Sequence, residues 1–214
     1  LSSRCARTVC AWMRKNSVAP YVNGAGLVRH VFTRTAKDGS AVCCVVSAGG
    51  FGARTQSLVD ALREACPELR GVVLNINRTS GNTVLAGDFY TLWGEEVLCD
   101  ELCGFKYRLS PQSFYQVNRA QAERLYERAV ELALPEPVDT VLELYCGAGT
   151  MSLPLSRRAR RVIGAEIVPE AVENARANAQ RNCVKNVEFI CADAAEAAAR
   201  FAGEGGRPDV IVVD

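Results

Sequence analysis

The sequence predicts an α/β chain in which an incomplete, doubly wound parallel sheet follows a smaller α+β domain. Three observations predict it. After Pro137, strand-like and helix-like runs alternate strictly. The strand-like runs there are short and mostly apolar, as in parallel strands covered on both faces. Before Pro135, short β-branched runs dominate. We place the boundary at residue 117, giving a domain of residues 1–117 and a second of residues 118–214.

In the first part, residues 28–35 and 41–46 are β-branched and apolar. The turn signal Lys37-Asp-Gly39 between them predicts a hairpin. Residues 56–66 have helical spacing, with Leu58, Ala61, Leu62 and Ala65 on one face and Pro67 as the stop. Residues 72–77, 82–86, 90–93 and 105–109 read as further strands. Asn118 is a good N-cap with Gln121 three residues on. It opens a helix whose stripe is Ala122, Leu125, Tyr126, Ala129 and Leu132.

In the second part, residues 140–144 predict a buried strand, followed by the glycine turn Cys146-Gly-Ala-Gly149 and a short helix over 150–156. Residues 161–166 are the next strand. Pro169, favoured in a first helical turn, opens a helix to about residue 181. Residues 187–191, 194–201 and 210–213 continue as strand, helix and strand. The chain ends at Asp214, at a strand's carboxyl end. A doubly wound sheet continues further, so a C-terminal truncation is expected.

Composition narrows the class. Apolar residues make up 49% of the 214 and charged residues 23%, enough for a sizeable core. Lys plus Arg is 25 against 24 acids, a formal charge of +1, which excludes a strongly basic coat protein or an acidic tail. No signal-peptide or membrane-span run occurs, and no obligate protein partner is evident. The ten cysteines include no Cys-x-x-Cys. Cys43, Cys44 and Cys191 lie in strand-like runs where thiols act as small hydrophobes. A reduced, cytoplasmic protein without a zinc site is the reading.

Ligands of open parallel sheets bind at the carboxyl ends of the strands. Four groups fall there. The turn Tyr145-Cys-Gly-Ala-Gly-Thr150 has Gly147 and Gly149 for close backbone approach. Glu166 ends the second strand and suits two ribose hydroxyls. Asp193 follows the third strand and is placed for an adenine amino group. Asp214 is the fourth. A glycine turn alone is a weak signal, but two added acids favour a nucleotide-type ligand. Ser152 stands where a dinucleotide fingerprint has its third glycine, and a P-loop's Gly-Lys-Ser/Thr is absent. An adenosyl ligand without pyrophosphate, S-adenosylmethionine, fits better than NAD.

Ser113-Phe-Tyr-Gln-Val-Asn118, Leu142-Glu-Leu-Tyr-Cys-Gly-Ala-Gly-Thr150, Gly164-Ala-Glu166 and Ala192-Asp193, in that order, resemble the RNA uridine C5-methyltransferase family. Gly26-Leu-Val-Arg-His-Val-Phe-Thr-Arg34 resembles its central domain. The resemblance implies a Rossmann-like methyltransferase sheet and an S-adenosylmethionine site lined by Gln116, Tyr145, Thr150, Glu166, Asp193 and Asp214. Phe114 would lie beside the extruded base. The implied activity is methylation of uridine C5 in RNA, with 23S rRNA favoured over tRNA. A Cys thiolate would add to C6 and a Glu would remove the C5 proton. Both motifs would follow Asp214, so no catalytic residue falls in this chain, and the fragment itself is expected to be inactive. An iron–sulfur cluster is implied for the full-length protein only, and Cys5 reads as an ordinary thiol. The alternatives are an NAD-dependent oxidoreductase on a similar sheet, or a non-catalytic cofactor- and RNA-binding piece.

Other residues receive plainer readings. Cys146 is a packed thiol in the turn, and Cys183 sits in a helix-to-strand loop. Arg157, Arg158, Arg160 and Arg161 form a solvated turn rather than a phosphate contact. His30 is structural, Glu143 a structural pairing group, and Asn174 and Asn178 surface residues of one helix face.

Overall fold

The computed structural model describes residues 1–113, 115–116, 118–203 and 207–213. The chain divides into two compact units, Leu1–Leu98 with Ser110–Gln112, and Cys99–Leu109 with Ser113–Asp214.

The first unit is built on a four-stranded mixed sheet. Helix α1 (Ser2–Lys15) lies where sequence analysis assigns no element. It buries Cys5, Val9, Trp12 and Met13, one helical stripe. Strands β1 (Val28–Thr35) and β2 (Ala41–Ser47) form the expected antiparallel hairpin. Gly39 turns it at φ +84°, where a side chain would be strained. Helix α2 (Thr55–Ala65) crosses over to β3 (Leu69–Ile76), which pairs parallel with β2. Strand β4 (Asp88–Gly94) closes the order β1-β2-β3-β4.

Every residue of β2 is buried, because both faces of this sheet are covered. Ala41, Cys43 and Val45 pack with α1 and α2, while Val42, Cys44 and Val46 pack on the other side with Val73 and Leu98. Period-two alternation therefore carries two different cores through one strand.

Residues 82–86, expected as a strand, are a loop. The reason lies in two buried asparagines. Asn77 Nδ2 donates to the carbonyls of Thr83 and Val84, at 2.8 and 3.0 Å. Asn75 Nδ2 donates to Ala86 O at 2.9 Å. Carbonyls that a ladder would use are taken by side chains.

Strand β5 (Leu98–Leu102), which begins at the last residue of the first unit's main segment, and strand β6 (Phe105–Leu109) form a two-stranded sheet. Sequence analysis anticipates only β6. Cys103 and Gly104, at φ +51° and +74°, make the tight turn between them. Leu102, Phe105, Tyr107 and Leu109 belong to the second unit's core.

Helix α3 (Arg119–Ala133) starts as expected, with the Asn118 side chain accepting from Gln121 N. Its buried row is Ala122, Tyr126, Val130 and Leu134, a pure i,i+4 line. Leu125 and Leu132, expected in the stripe, are 58% and 66% exposed. The helix contacts its core along one narrow row, and these two leucines fall beside it.

Strands β7 (Val138–Leu144), β8 (Ala159–Glu166), β9 (Val187–Cys191) and β10 (Val210–Val213) form an all-parallel sheet in the order β10-β7-β8-β9. Helices α4 (Ser152–Leu155), α5 (Pro169–Arg181) and α6 (Ala194–Gly203) connect them. The strand order runs outward both ways from β7, so the switch point of the sheet lies at β7 and the turn that follows it. Among the described residues, no helix is long and apolar enough to cross a membrane.

Candidate functional site

The site begins where β7 ends. Tyr145 leaves the strand at φ +64°, a left-handed conformation unusual for a bulky residue, and its side chain is 55% exposed. Cys146 N then donates to Ala165 O at 2.9 Å, tying the turn to β8. Gly149 N donates to Cys146 O at 2.9 Å and closes the turn.

The two turn glycines have different tasks. Gly147, at φ +54°, has nothing within 4 Å of where a Cβ would sit, so its backbone faces open space. A Cβ on Gly149 would meet Phe189 Cζ at 3.0 Å and Ala175 Cβ at 3.4 Å. Gly149 therefore serves packing and its left-handed φ of +79°, while Gly147 is the glycine a ligand can approach. Gly164 in β8 completes the arrangement. A Cβ there would lie 2.8 Å from Phe189 Cδ1 and 2.9 Å from Cys146 Sγ.

Glu166 is brought to the turn directly. Its Oε2 accepts from Gly147 N at 3.0 Å and its Oε1 from Val168 N at 2.9 Å. Each carboxylate oxygen retains acceptor capacity, so the group can still receive two hydroxyl donors. Ala192 N donates to Glu166 O at 3.1 Å, which sets the end of β9 beside the end of β8. Asp193 follows and is exposed. Its Oδ1 accepts from Glu196 N at 2.8 Å, so it caps α6.

Thr150 sits at the far end of the turn and is held by two tyrosines. Tyr107 OH donates to Thr150 O at 3.3 Å, and Tyr126 OH lies 3.4 Å from Thr150 Oγ1. Gln116 is half-buried in the segment ahead of α3. Phe114 and Asp214 lie outside the described residues.

Beneath the turn, Glu143 is 1% exposed, and the Ser152 hydroxyl donates to its Oε2. The expected pairing role of Glu143 has this partner. The same bond engages the hydroxyl that stands at the third-glycine position. Cys146 is 2% exposed. Burial pushes its thiol well above the ordinary thiol range, and the negative charges of Glu143 and Glu166 push it the same way. A thiol so held is a poor nucleophile.

Two expectations are corrected. Asn178 is fully buried, because the α5 stripe of Val172, Ala175 and Ala179 carries it inward. Cys191 is exposed, since β9 is an edge strand and its Sγ faces outward near Ile167 O, at 3.6 Å. The four arginines of the 157–161 cluster are exposed, as a solvated segment is expected to be, and each also has a protein partner. Arg157 bonds Cys103 O at 2.8 Å and lies over the Phe105 ring at 4.3 Å. Arg158 bonds Leu134 O at 2.9 Å. Arg160 meets Asp139 at 3.4 Å, and Arg161 grips Glu188 with two bonds of 3.0 and 2.9 Å. Sequence reasoning also misses Tyr107 and Tyr126 as supports of the turn. Helical spacing could reveal Asn178, because an amide inside a buried stripe must be hydrogen-bonded.

Among the described residues, no group of three or more His, Cys, Asp or Glu side chains could hold a metal ion. The turn and Glu166 do fit an adenosyl ligand. Gly147 offers open space for its approach, and the Glu166 carboxylate is fixed with acceptor capacity for a ribose.

The family model of tRNA (uracil-5-)-methyltransferase matches residues 56–206. An RNA methyltransferase of Caldanaerobacter subterraneus subsp. tengcongensis is 36% identical over 217 residues, covering 100% of this chain and 48% of its own length. An RNA methyltransferase of Clostridium acetobutylicum is 35% identical over 206 residues, covering 95% of this chain and 45% of its own length. The chain thus spans about half the length of these relatives. The crystal structure of Pyrococcus abyssi tRNA (uracil-54, C5)-methyltransferase with S-adenosyl-L-homocysteine superimposes with a TM-score of 0.73 at 24% identity. It covers 89% of this chain and 46% of that one. That likeness bears on the fold.

Proposed function

This chain belongs to the tRNA (uracil-5-)-methyltransferase family, and we propose that it forms the S-adenosylmethionine-binding part of an enzyme that methylates uridine at C5 in RNA. The carrying observation is the Glu166 carboxylate, held by Gly147 N and Val168 N at the mouth of an open glycine turn. In this reading Glu166 receives the two ribose hydroxyls, and Asp193 receives the adenine amino group while capping α6. Tyr145 flanks the ligand, and Gly147 lets it approach the backbone. Thr150 is set by Tyr107 and Tyr126. When bound, S-adenosylmethionine supplies an electrophilic methyl group. Gln116, Phe114 and Asp214 complete the proposed site, with Phe114 on the side of the base.

The dinucleotide reading has less support. Ser152 is engaged with buried Glu143, and no third glycine opens the turn to a pyrophosphate. Cys146 is assigned to packing, since it faces Gly164 rather than open space. On the sequence resemblance the substrate is proposed to be 23S rRNA, although the family description names tRNA.

Incubating full-length protein with methyl-labelled cofactor and separate rRNA and tRNA fractions tests the proposal. The expected product is 5-methyluridine in the rRNA fraction. Label in tRNA alone would redirect the substrate, and label only on ring nitrogens or ribose would overturn the reaction. With 5-fluorouracil-substituted RNA, a covalent adduct should survive Cys146→Ser. Its loss would overturn the packing role of Cys146.

A further inference from the structure

Asn178 lies in the last turn of α5, fully buried, and both ends of its amide are used. Nδ2 donates to Ala148 O at 3.1 Å, the carbonyl between the two turn glycines. Oδ1 accepts from Arg108 N of β6 at 2.8 Å. One helical turn on, Asn182 repeats the pattern two residues earlier in the strand. Its Oδ1 accepts from Lys106 N at 2.8 Å and its Nδ2 donates to Lys106 O at 2.7 Å. Lys106 and Arg108 present their backbone groups on the same edge of β6, because residues two apart do so in a strand. Two side-chain amides, one in α5 and one at its C-cap, thus satisfy an edge that a third strand would otherwise occupy.

The two asparagines differ in what else they hold. Asn182 turns back to the carbonyl of Asn178 on its own helix, at 2.8 Å. Asn178 reaches forward to the glycine turn. With left-handed glycines on both sides of it, Ala148 sits in a segment with few side chains to hold it in place. Its carbonyl lies in the Ala148–Gly149 peptide, separated by one peptide from the Cys146–Gly147 peptide whose Gly147 N is what Glu166 grips.

We propose that Asn178 is a positioning residue for the cofactor turn, clamping the Ala148 carbonyl against the edge of β6 so that Gly147 and Glu166 are preorganised for the adenosyl ligand. The inference rests on the reading of this turn as the S-adenosylmethionine site. An apolar side chain at 178 would orphan two buried backbone groups. An aspartate could accept from Arg108 N but could not donate to Ala148 O while ionised. Its protonated form could do both.

That difference supplies a test that a merely structural role would not pass. S-adenosylhomocysteine binding to the full-length protein is measured by calorimetry from pH 5.5 to pH 8.5, for wild type, Asn178→Asp and Asn182→Ala. Folding is checked by circular dichroism at each pH. Asn178→Asp should bind about tenfold more weakly than wild type at high pH. The ratio should shrink toward one as the introduced carboxyl protonates. Asn182→Ala should melt at a lower temperature, with affinity within about twofold of wild type. If Asn178→Asp unfolds at alkaline pH, Asn178→Ser carries the comparison at neutral pH, being too short to reach both partners. Either variant folded, with wild-type affinity throughout, overturns the inference while leaving the cofactor reading intact. Wild-type protein that binds no S-adenosylhomocysteine overturns that reading, and this inference with it.

Discussion

Glu166 is the proposed acceptor for the ribose. It ends β8 at the level of the turn, and two backbone N–H groups fix its carboxylate at 3.0 and 2.9 Å. A pair of ribose hydroxyls received by one ionised carboxylate makes charge-assisted hydrogen bonds. Glu166→Ala should therefore weaken S-adenosylhomocysteine binding by about 1.5–3 kcal/mol, a factor of roughly 10 to 150. Calorimetry checks the value, and an affinity unchanged by the substitution would remove Glu166 from the site. The removal also frees Gly147 N, so part of the loss would come from a slacker turn. Glu166→Gln separates the two effects, because the amide oxygen can still accept from one backbone N–H. Much of this was legible from residue types alone. An acid at the end of a second parallel strand, 19 residues beyond a glycine, is a readable pattern. The Gly147–Glu166 bond is a contact between two strand ends and needs the sheet register to exist.

At the scale of elements, the approach of β8, β9 and the turn depends on what is missing from Gly164. Gly164 pairs with Phe189 across the two strands. An added methyl would lie 2.8 Å from the ring and 2.9 Å from the Cys146 sulfur. Gly164→Ala should destabilise the protein by about 1–3 kcal/mol, as overpacking of a filled core does. Phe189→Leu in the same chain should recover part of that loss, because the pair is in contact and their effects do not add. Denaturant midpoints of the two single variants and the double variant measure the coupling, and strict additivity would show that the ring is not the obstacle. Element-level reading from sequence succeeds where pattern is local. The hairpin over Gly39, the Asn118 cap and Pro169 in the first turn of α5 are signals of this kind. It fails at residues 82–86, where buried Asn75 and Asn77 capture the loop's carbonyls. It fails again at Leu125 and Leu132, where the width of the contact row, rather than hydrophobicity, decides burial.

Across the whole molecule the ten cysteines are free. Cys10, Cys99, Cys183 and Cys191 are exposed, and Cys5, Cys43, Cys44, Cys66, Cys103 and Cys146 are buried. A thiol reagent should modify four groups in the folded protein and all ten in denaturant. Six or more reacting promptly in the native state would contradict the burial. The buried thiols also predict a pH dependence. Burial raises Cys44 to about 12 and Cys103 to about 11, from an ordinary 9.0. In the unfolded chain they ionise near the ordinary value, so above pH 9 the folded state binds more protons than the unfolded one. Stability is then fully present below pH 9 and falls as pH rises toward 11–12. Cys44→Ala should be less stable at neutral pH yet lose less on going to pH 10.5. Melting temperatures across that range test it, and an equal alkaline loss in both proteins would remove Cys44 as a source.

What the sequence by itself determined is the part that local chemistry controls. The parallel rhythm after Pro137, the glycine turn, the acids at strand ends and the helix caps are all set by residues near one another in the chain. Their backbone preferences act before any distant contact forms. The tertiary structure alone decided which glycine faces open space and which faces Phe189, since that depends on a ring contributed by another strand. It also decided that Asn178 points inward to the turn, and that four adjacent arginines end on four separate protein partners. Hydrogen-bond partners of buried polar groups are chosen by whichever backbone happens to pass within about 3 Å, and distance in sequence carries no record of that.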